Sequence, residues 1–151
     1  MNIYNSENYI TNKQIKKIIQ ILGNEYKPNN IIICENRKDA IRYILRFPIL
    51  IINIISILSG KIEGLYNVYS RTILVFIFSQ MDDGNNKHSK QFSSLHAMIH
   101  ELRHGYQRRN SIYKNIEEDA DNFATDFLNS KSMKISQIMH WKDEWTIEEE
   151  D

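Results

Sequence analysis

Three observations predict an α+β fold, a short sheet packed against helices. Apolar residues recur with helical spacing at 11–22, at 37–46 and from 92 onward. Between them lie short runs rich in isoleucine, valine, tyrosine and phenylalanine, at 31–35, 62–69 and 72–79, which read as strands. The length of 151 residues suits a single domain over 1–151, with no internal repeat and no linker composition to divide it.

Each element has its own signal. Thr11 followed by Gln14 forms a capping box; Ile15, Ile18, Ile19 and Leu22 then repeat on one face until Gly23 supplies a stop. The turn-like Lys27-Pro28-Asn29-Asn30 precedes a buried strand over Ile31–Glu35. A helix over 37–46 ends before Pro48. Residues 48–58 are isoleucine-rich and fit strand or buried helix; helix is expected. Two strands, 62–69 and 72–79, turn tightly around Ser70-Arg71. The polar segment 81–90, with Gly84, reads as a loop in which His88 is solvated. Helices are expected at about 92–109, 115–129 and 133–146, before a frayed acidic tail at 147–151.

Composition excludes several classes. Nineteen basic and nineteen acidic residues cancel, and no Lys/Arg block stands out, so no nucleic acid partner is expected. Cys34 is the only cysteine, so no internal disulfide forms; among Ile31, Ile32 and Ile33 it reads as a small hydrophobe on a buried strand. The longest apolar run, Phe47 to Leu58, has 12 residues and contains Pro48 and Asn53. A membrane helix needs about 20. With no leader pattern after Met1, the expectation is a cytoplasmic protein with no membrane partner.

The chemistry concentrates in His100-Glu101-Leu102-Arg103-His104. On a helix, residues i and i+4 stand one above the other about 6 Å apart, so both imidazoles reach one ion. Glu101 projects beside them, placed to take a proton from an activated water. Leu95, Ile99, Leu102 and Tyr106 form the apolar stripe of this helix, while His96, His100, Arg103, His104 and Gln107 form the adjacent one. His96 lies eight residues from His104, about 12 Å of rise, so all three histidines cannot share an ion. His96 reads as part of the outer surroundings of the ion or as polar surface.

Catalytic zinc takes three protein ligands and a water. The next helix, with its apolar stripe Ile116, Ala120, Phe123, Ala124 and Phe127, carries Glu117 and Asp121 at i and i+4. One can bind metal while the other accepts a hydrogen bond from a ligand histidine. Glu118 is rotated about 100° away, which favours Glu117 as the ligand.

An H-E-x-x-H followed by E-x-x-A-D on a second helix resembles the gluzincin zinc metallopeptidases, the thermolysin-like group. The fuller run Glu117-Glu118-Asp119-Ala120-Asp121-Asn122-Phe123-Ala124 is similar to the E-E-x-A-N-x-F-A element of the ImmA/IrrE family. The resemblance covers about residues 60–130; residues 1–59 carry no matching motif. It implies a minimal zincin-like fold and one catalytic zinc ion held by His100, His104 and Glu117. It also implies Glu101 as the general base and Asp121 as the partner that orients the first histidine. Arg103 departs from the family, which often has Gly there, and Asp121 stands where Asn is usual.

A zinc endopeptidase acting on an intracellular protein or peptide is therefore expected, with the substrate laid as an extended strand along an edge near Thr72–Phe78. Tyr106, Tyr113, His140 and Arg103 are candidate donors to the developing oxyanion. Trp141 and Trp145 read as packing. The rival is a regulatory or protein-binding module that keeps the metal site and cleaves little. A structural zinc site would leave Glu101 without a role and would more often use cysteines.

Overall fold

The computed structural model describes residues 1–46, 54–80 and 87–142. Among these, four strands, β1 (Asn2–Tyr4), β2 (Asn30–Cys34), β3 (Gly64–Asn67) and β4 (Thr72–Phe76), form one mixed sheet in the order β1-β2-β4-β3. β2 runs parallel to both β1 and β4, and β3 lies antiparallel to β4 with Gly64 opposite Val75. Parallel neighbours need long crossovers. Helix α1 (Asn12–Leu22) joins β1 to β2; α2 (Arg37–Arg46) and α3 (Ile54–Leu58) lie between β2 and β3. The expected α+β class holds.

The alternation of side chains along β2 explains its unbroken apolar sequence. Ile31 and Ile33, with Ile73 and Val75 of β4, join one core with α1, α4 (Lys87–Arg109), α5 (Ile116–Ser130) and α6 (Ser132–Met139). Ile32 and Cys34, with Leu74 and Phe76, join a second with Ala40 of α2 and Ile57 of α3. Both faces of the sheet are thus covered, and a strand buried on both faces has no use for polar positions. Burial pushes the Cys34 thiol up, consistent with its role as an inert hydrophobe.

Helix α1 begins as its capping box requires: Thr11 Oγ1 accepts from Gln14 N at 3.2 Å, and Gln14 Oε1 accepts from Thr11 N at 2.8 Å. Gly23, at φ 119°, ends it. Ile15, Ile18, Ile19 and Leu22 join the same core as Leu95, Met98, Ile99 and Leu102 of α4. The segment without a matching motif therefore builds half the sheet and the bed on which α4 lies.

Several boundaries differ from expectation. β4 stops at Phe76 and the chain continues as a 3-10 turn, Ile77–Gln80, because the paired strand β2 ends at Cys34 opposite Phe76. β3 occupies only Gly64–Asn67 of the expected 62–69. The interior position of β4 also corrects the expected substrate edge near Thr72–Phe78: β3 is the outer strand on that side. β1 carries no alternating apolar pattern, so the sequence does not announce it. The polar residues 87–90, expected as loop, are the first turn of α4. Tertiary contacts hold them: Gln91 donates to the Tyr9 carbonyl at 2.6 Å and accepts from Trp141 Nε1 at 2.8 Å, and the His88 ring meets that of Trp141. The last helix ends at Met139, short of 146, where His140 takes a left-handed cap at φ 60°. The expected helix at 48–58 is described only for Ile54–Leu58, which is helical; residues 81–86 of the loop, Trp145 and the acidic tail lie outside the described residues. Among the described residues no helix is long and apolar enough to cross a membrane.

Candidate metal centre

Leu95, Ile99 and Leu102 fix α4 to the core, and the 3.6-residue repeat then leaves His96, His100 and His104 half-buried along the neighbouring stripe. Two glycines bring this helix close to β3. A Cβ on Gly105 would lie 3.0 Å from Cε2 of Tyr66, and one on Gly64 would lie 2.7 Å from Cγ of Glu101. Neither contact leaves room for a methyl group without a shift of its neighbour. Glu101 consequently sits under the strand, buried, with the Tyr66 backbone N–H donating to its carboxylate. Burial first, and the nearby Glu117 carboxylate second, push its pKa up to about 8, against the pull of that backbone N–H.

Helix α5 returns antiparallel to α4. His104 faces Glu117, Arg103 faces Asp119, His100 faces Asp121 and His96 faces Thr125. Ala120 and Ala124 are fully buried, small enough for the two helices to approach closely. The result is a tight group of donors. Oε2 of Glu117 lies 3.4 Å from His100 Nε2 and 3.3 Å from His104 Nε2. Four ligands about 2.0–2.1 Å from a tetrahedral zinc stand about 3.3–3.4 Å from one another. The two distances from Glu117 Oε2 match that edge length, and two imidazoles with one carboxylate are a donor set zinc accepts.

His100, Glu101 and His104 also each offer a donor atom within 4.8 Å of the others, so two carboxylates contend for one place beside the histidines. Glu117 is the better ligand. Its single oxygen faces both Nε2 atoms, whereas Glu101 is held under β3 by the Tyr66 N–H and stands free to handle a proton. Burial, then the neighbouring His104, hold the His100 pKa below the ordinary histidine value, with Glu117 and Asp121 opposing. A neutral imidazole is the form that binds a cation.

No protein-family model, curated protein or solved structure matches this chain.

The contacts around the histidines are more extensive than the sequence indicated. Asp121 Oδ1 lies 3.6 Å from His100 Nδ1 and 3.8 Å from His96 Nε2, and His96 also meets the Thr125 hydroxyl at 3.2 Å. His104 Nδ1 lies 2.8 Å from Gln107 Oε1. Gln107 and Asp119 carry no motif of their own; their only signal is that Gln107 shares the histidine stripe of α4 and Asp119 sits between Glu117 and Asp121.

A cleft of about 280 Å³ opens beside Glu101, His104 and Glu117, bounded by Ile62, Leu65 and Val68 on one side and Arg108 on another. None of the four candidate oxyanion donors lines it. Arg103 is bound to Asp119 and Tyr26, Tyr106 stacks on Tyr26 with ring centroids 4.9 Å apart, and His140 caps α6. Tyr113 is exposed, 6.0 Å from the Arg108 guanidinium, which does line the cleft. The sequence places Gly64 and Tyr66 on a strand ahead of α4 and Arg108 in a short basic pair, without assigning them to the site; the docking of α4 against β3 brings them there.

Proposed function

We propose that this chain is a zinc-dependent endopeptidase acting on extended segments of intracellular proteins. The observation that carries the reading is Glu117 Oε2 facing His100 Nε2 at 3.4 Å and His104 Nε2 at 3.3 Å, with a buried carboxyl, Glu101, alongside. Zinc bound there would polarise the scissile carbonyl and acidify the attacking water. Glu101 takes one proton from that water as its oxygen bonds to the carbonyl carbon. It then delivers the proton to the leaving nitrogen as the C–N bond breaks, giving an amine and a carboxylic acid, and the acid's remaining proton passes to the amine to leave a carboxylate and an ammonium. β3 offers the peptide a strand edge, its Gly64, Leu65 and Tyr66 bordering the cleft. The apolar side chains of Ile62, Leu65 and Val68 favour an apolar residue near the cleaved bond.

The test compares products from an unstructured protein mixture, incubated with zinc-loaded wild type and with Glu101→Gln. The proposal expects new peptide termini from wild type that are absent with the variant. One zinc per chain with identical product patterns would sink the peptidase reading and leave a regulatory module that retains the metal.

A further inference from the structure

We infer that Gln107 is a positioning residue that selects the Nδ1–H tautomer of His104, so that the Nε2 lone pair faces Glu117. The inference rests on the metal-centre reading above and extends it to residues that touch neither metal nor substrate. Gln107 is 1% exposed, and its Nε2 donates to the Ile116 carbonyl at 2.8 Å and to Asp119 Oδ2 at 2.6 Å. Both partners only accept. Turning the amide over would set its oxygen against a carbonyl and a carboxylate, so the orientation is fixed. Oε1 therefore faces His104 Nδ1, 2.8 Å away, and an acceptor there requires the proton to be on Nδ1. A neutral imidazole has one N–H, which leaves Nε2 as the lone pair, 3.3 Å from Glu117 Oε2.

Asp119 is itself immobilised. Arg103 donates to it from Nε at 2.7 Å and from Nη2 at 2.9 Å, a bidentate pair. The guanidinium is held in turn by the Tyr26 hydroxyl at 3.1 Å and by the rings of Tyr106 and Phe123, at 4.9 Å and 4.7 Å. Because Asp119 lies on α5 two residues after Glu117, the same bonds fix the register that brings Glu117 to the histidines. At its own Nδ1, His100 meets Asp121 at a looser 3.6 Å, with an Asp121 side chain 64% exposed. The second histidine of the pair is the one that is rigidly aimed.

Nitrogen-resolved NMR of the histidine rings tests this in the metal-free full chain at about pH 8.5, well above the ordinary histidine pKa of about 6.5. Zinc affinity by chelator competition is measured beside it. Wild type is expected to show His104 protonated on Nδ1. In Gln107→Leu the Nε2–H form should dominate and zinc affinity should fall about 10–100-fold. The pair Gln107→Glu with Asp119→Asn restores an acceptor at His104 and should return the Nδ1–H signal. A His104 that keeps Nδ1–H in Gln107→Leu, or an affinity within about twofold of wild type, overturns the inference. Should that variant not fold, Asp119→Asn, at a side chain 35% exposed, unlocks the amide and should raise the Nε2–H population. An unchanged tautomer there likewise overturns it. A tautomer that depends on Gln107 in a chain that binds no zinc upholds the positioning and removes the metal reading instead.

Discussion

Glu101 shows how much of a residue's chemistry comes from what lies over it. The H-E-x-x-H spacing marks it as a base, but its burial is imposed by Gly64 and the Tyr66 N–H, which no pattern within α4 announces. Gly64→Ala is expected to abolish cleavage while leaving the chain folded, since the new methyl would occupy space now filled by the Glu101 side chain 2.7 Å away. Peptide-release assays alongside a thermal melt check this; a fully active Gly64→Ala variant would refute it. The raised pKa has a consequence for stability. Between 4.5 and about 8 the folded metal-free chain retains a proton that the unfolded chain has released, so stability falls as pH rises through this window. His96 and His100, with lowered pKa values, push the other way, so the difference between proteins isolates the carboxyl. Metal-free Glu101→Gln should gain Tm relative to wild type as pH rises from about 5 to about 8. Parallel Tm curves would contradict the assignment.

The helices at the site were legible because each advertises itself. Histidines on one stripe of α4 and acids on one flank of α5 are 3.6-residue patterns, and the antiparallel return follows from the short connection. The extra first turn of α4 and the early end of α6 were not legible. Gln91, just inside α4, and Trp141, just beyond α6, bond to each other across 50 residues of sequence, information absent from either local window. Close approach of α4 and α5 depends on Ala120, which is fully buried. Ala120→Leu should cost about 1–3 kcal/mol by overpacking, and it should weaken zinc binding by drawing Glu117 away from His100 and His104. Urea unfolding and a zinc titration measure the two effects. Tight zinc binding in a destabilised Ala120→Leu chain would show that α5 does not set the site.

At the scale of the molecule, the fold class followed from composition and periodicity, but strand order did not. Ile31–Cys34 looks buried in any α+β arrangement; only the assembled sheet shows it central, with β4 beside it and β3 at the edge. Residues 1–59 carry no matching motif, and the contacts their described residues make with the site are packing and a hydrogen bond. Ile18 of α1 is fully buried in the core that also holds Ile99 and Leu102, and the Tyr26 hydroxyl steadies Arg103 by accepting from its guanidinium. Ile18→Ala should therefore cost about 2–5 kcal/mol, read as a lower urea midpoint of the metal-free chain, with cleavage retained by the fraction that stays folded. The central claim is that His100, His104 and Glu117 together hold one metal ion. Zinc content of the purified chain, measured by native mass spectrometry for wild type, His104→Ala and Glu117→Ala, tests it most directly. One zinc per wild-type chain, lost in His104→Ala and sharply reduced in Glu117→Ala, is the predicted result. A wild type without zinc, or equal zinc in all three proteins, would contradict it.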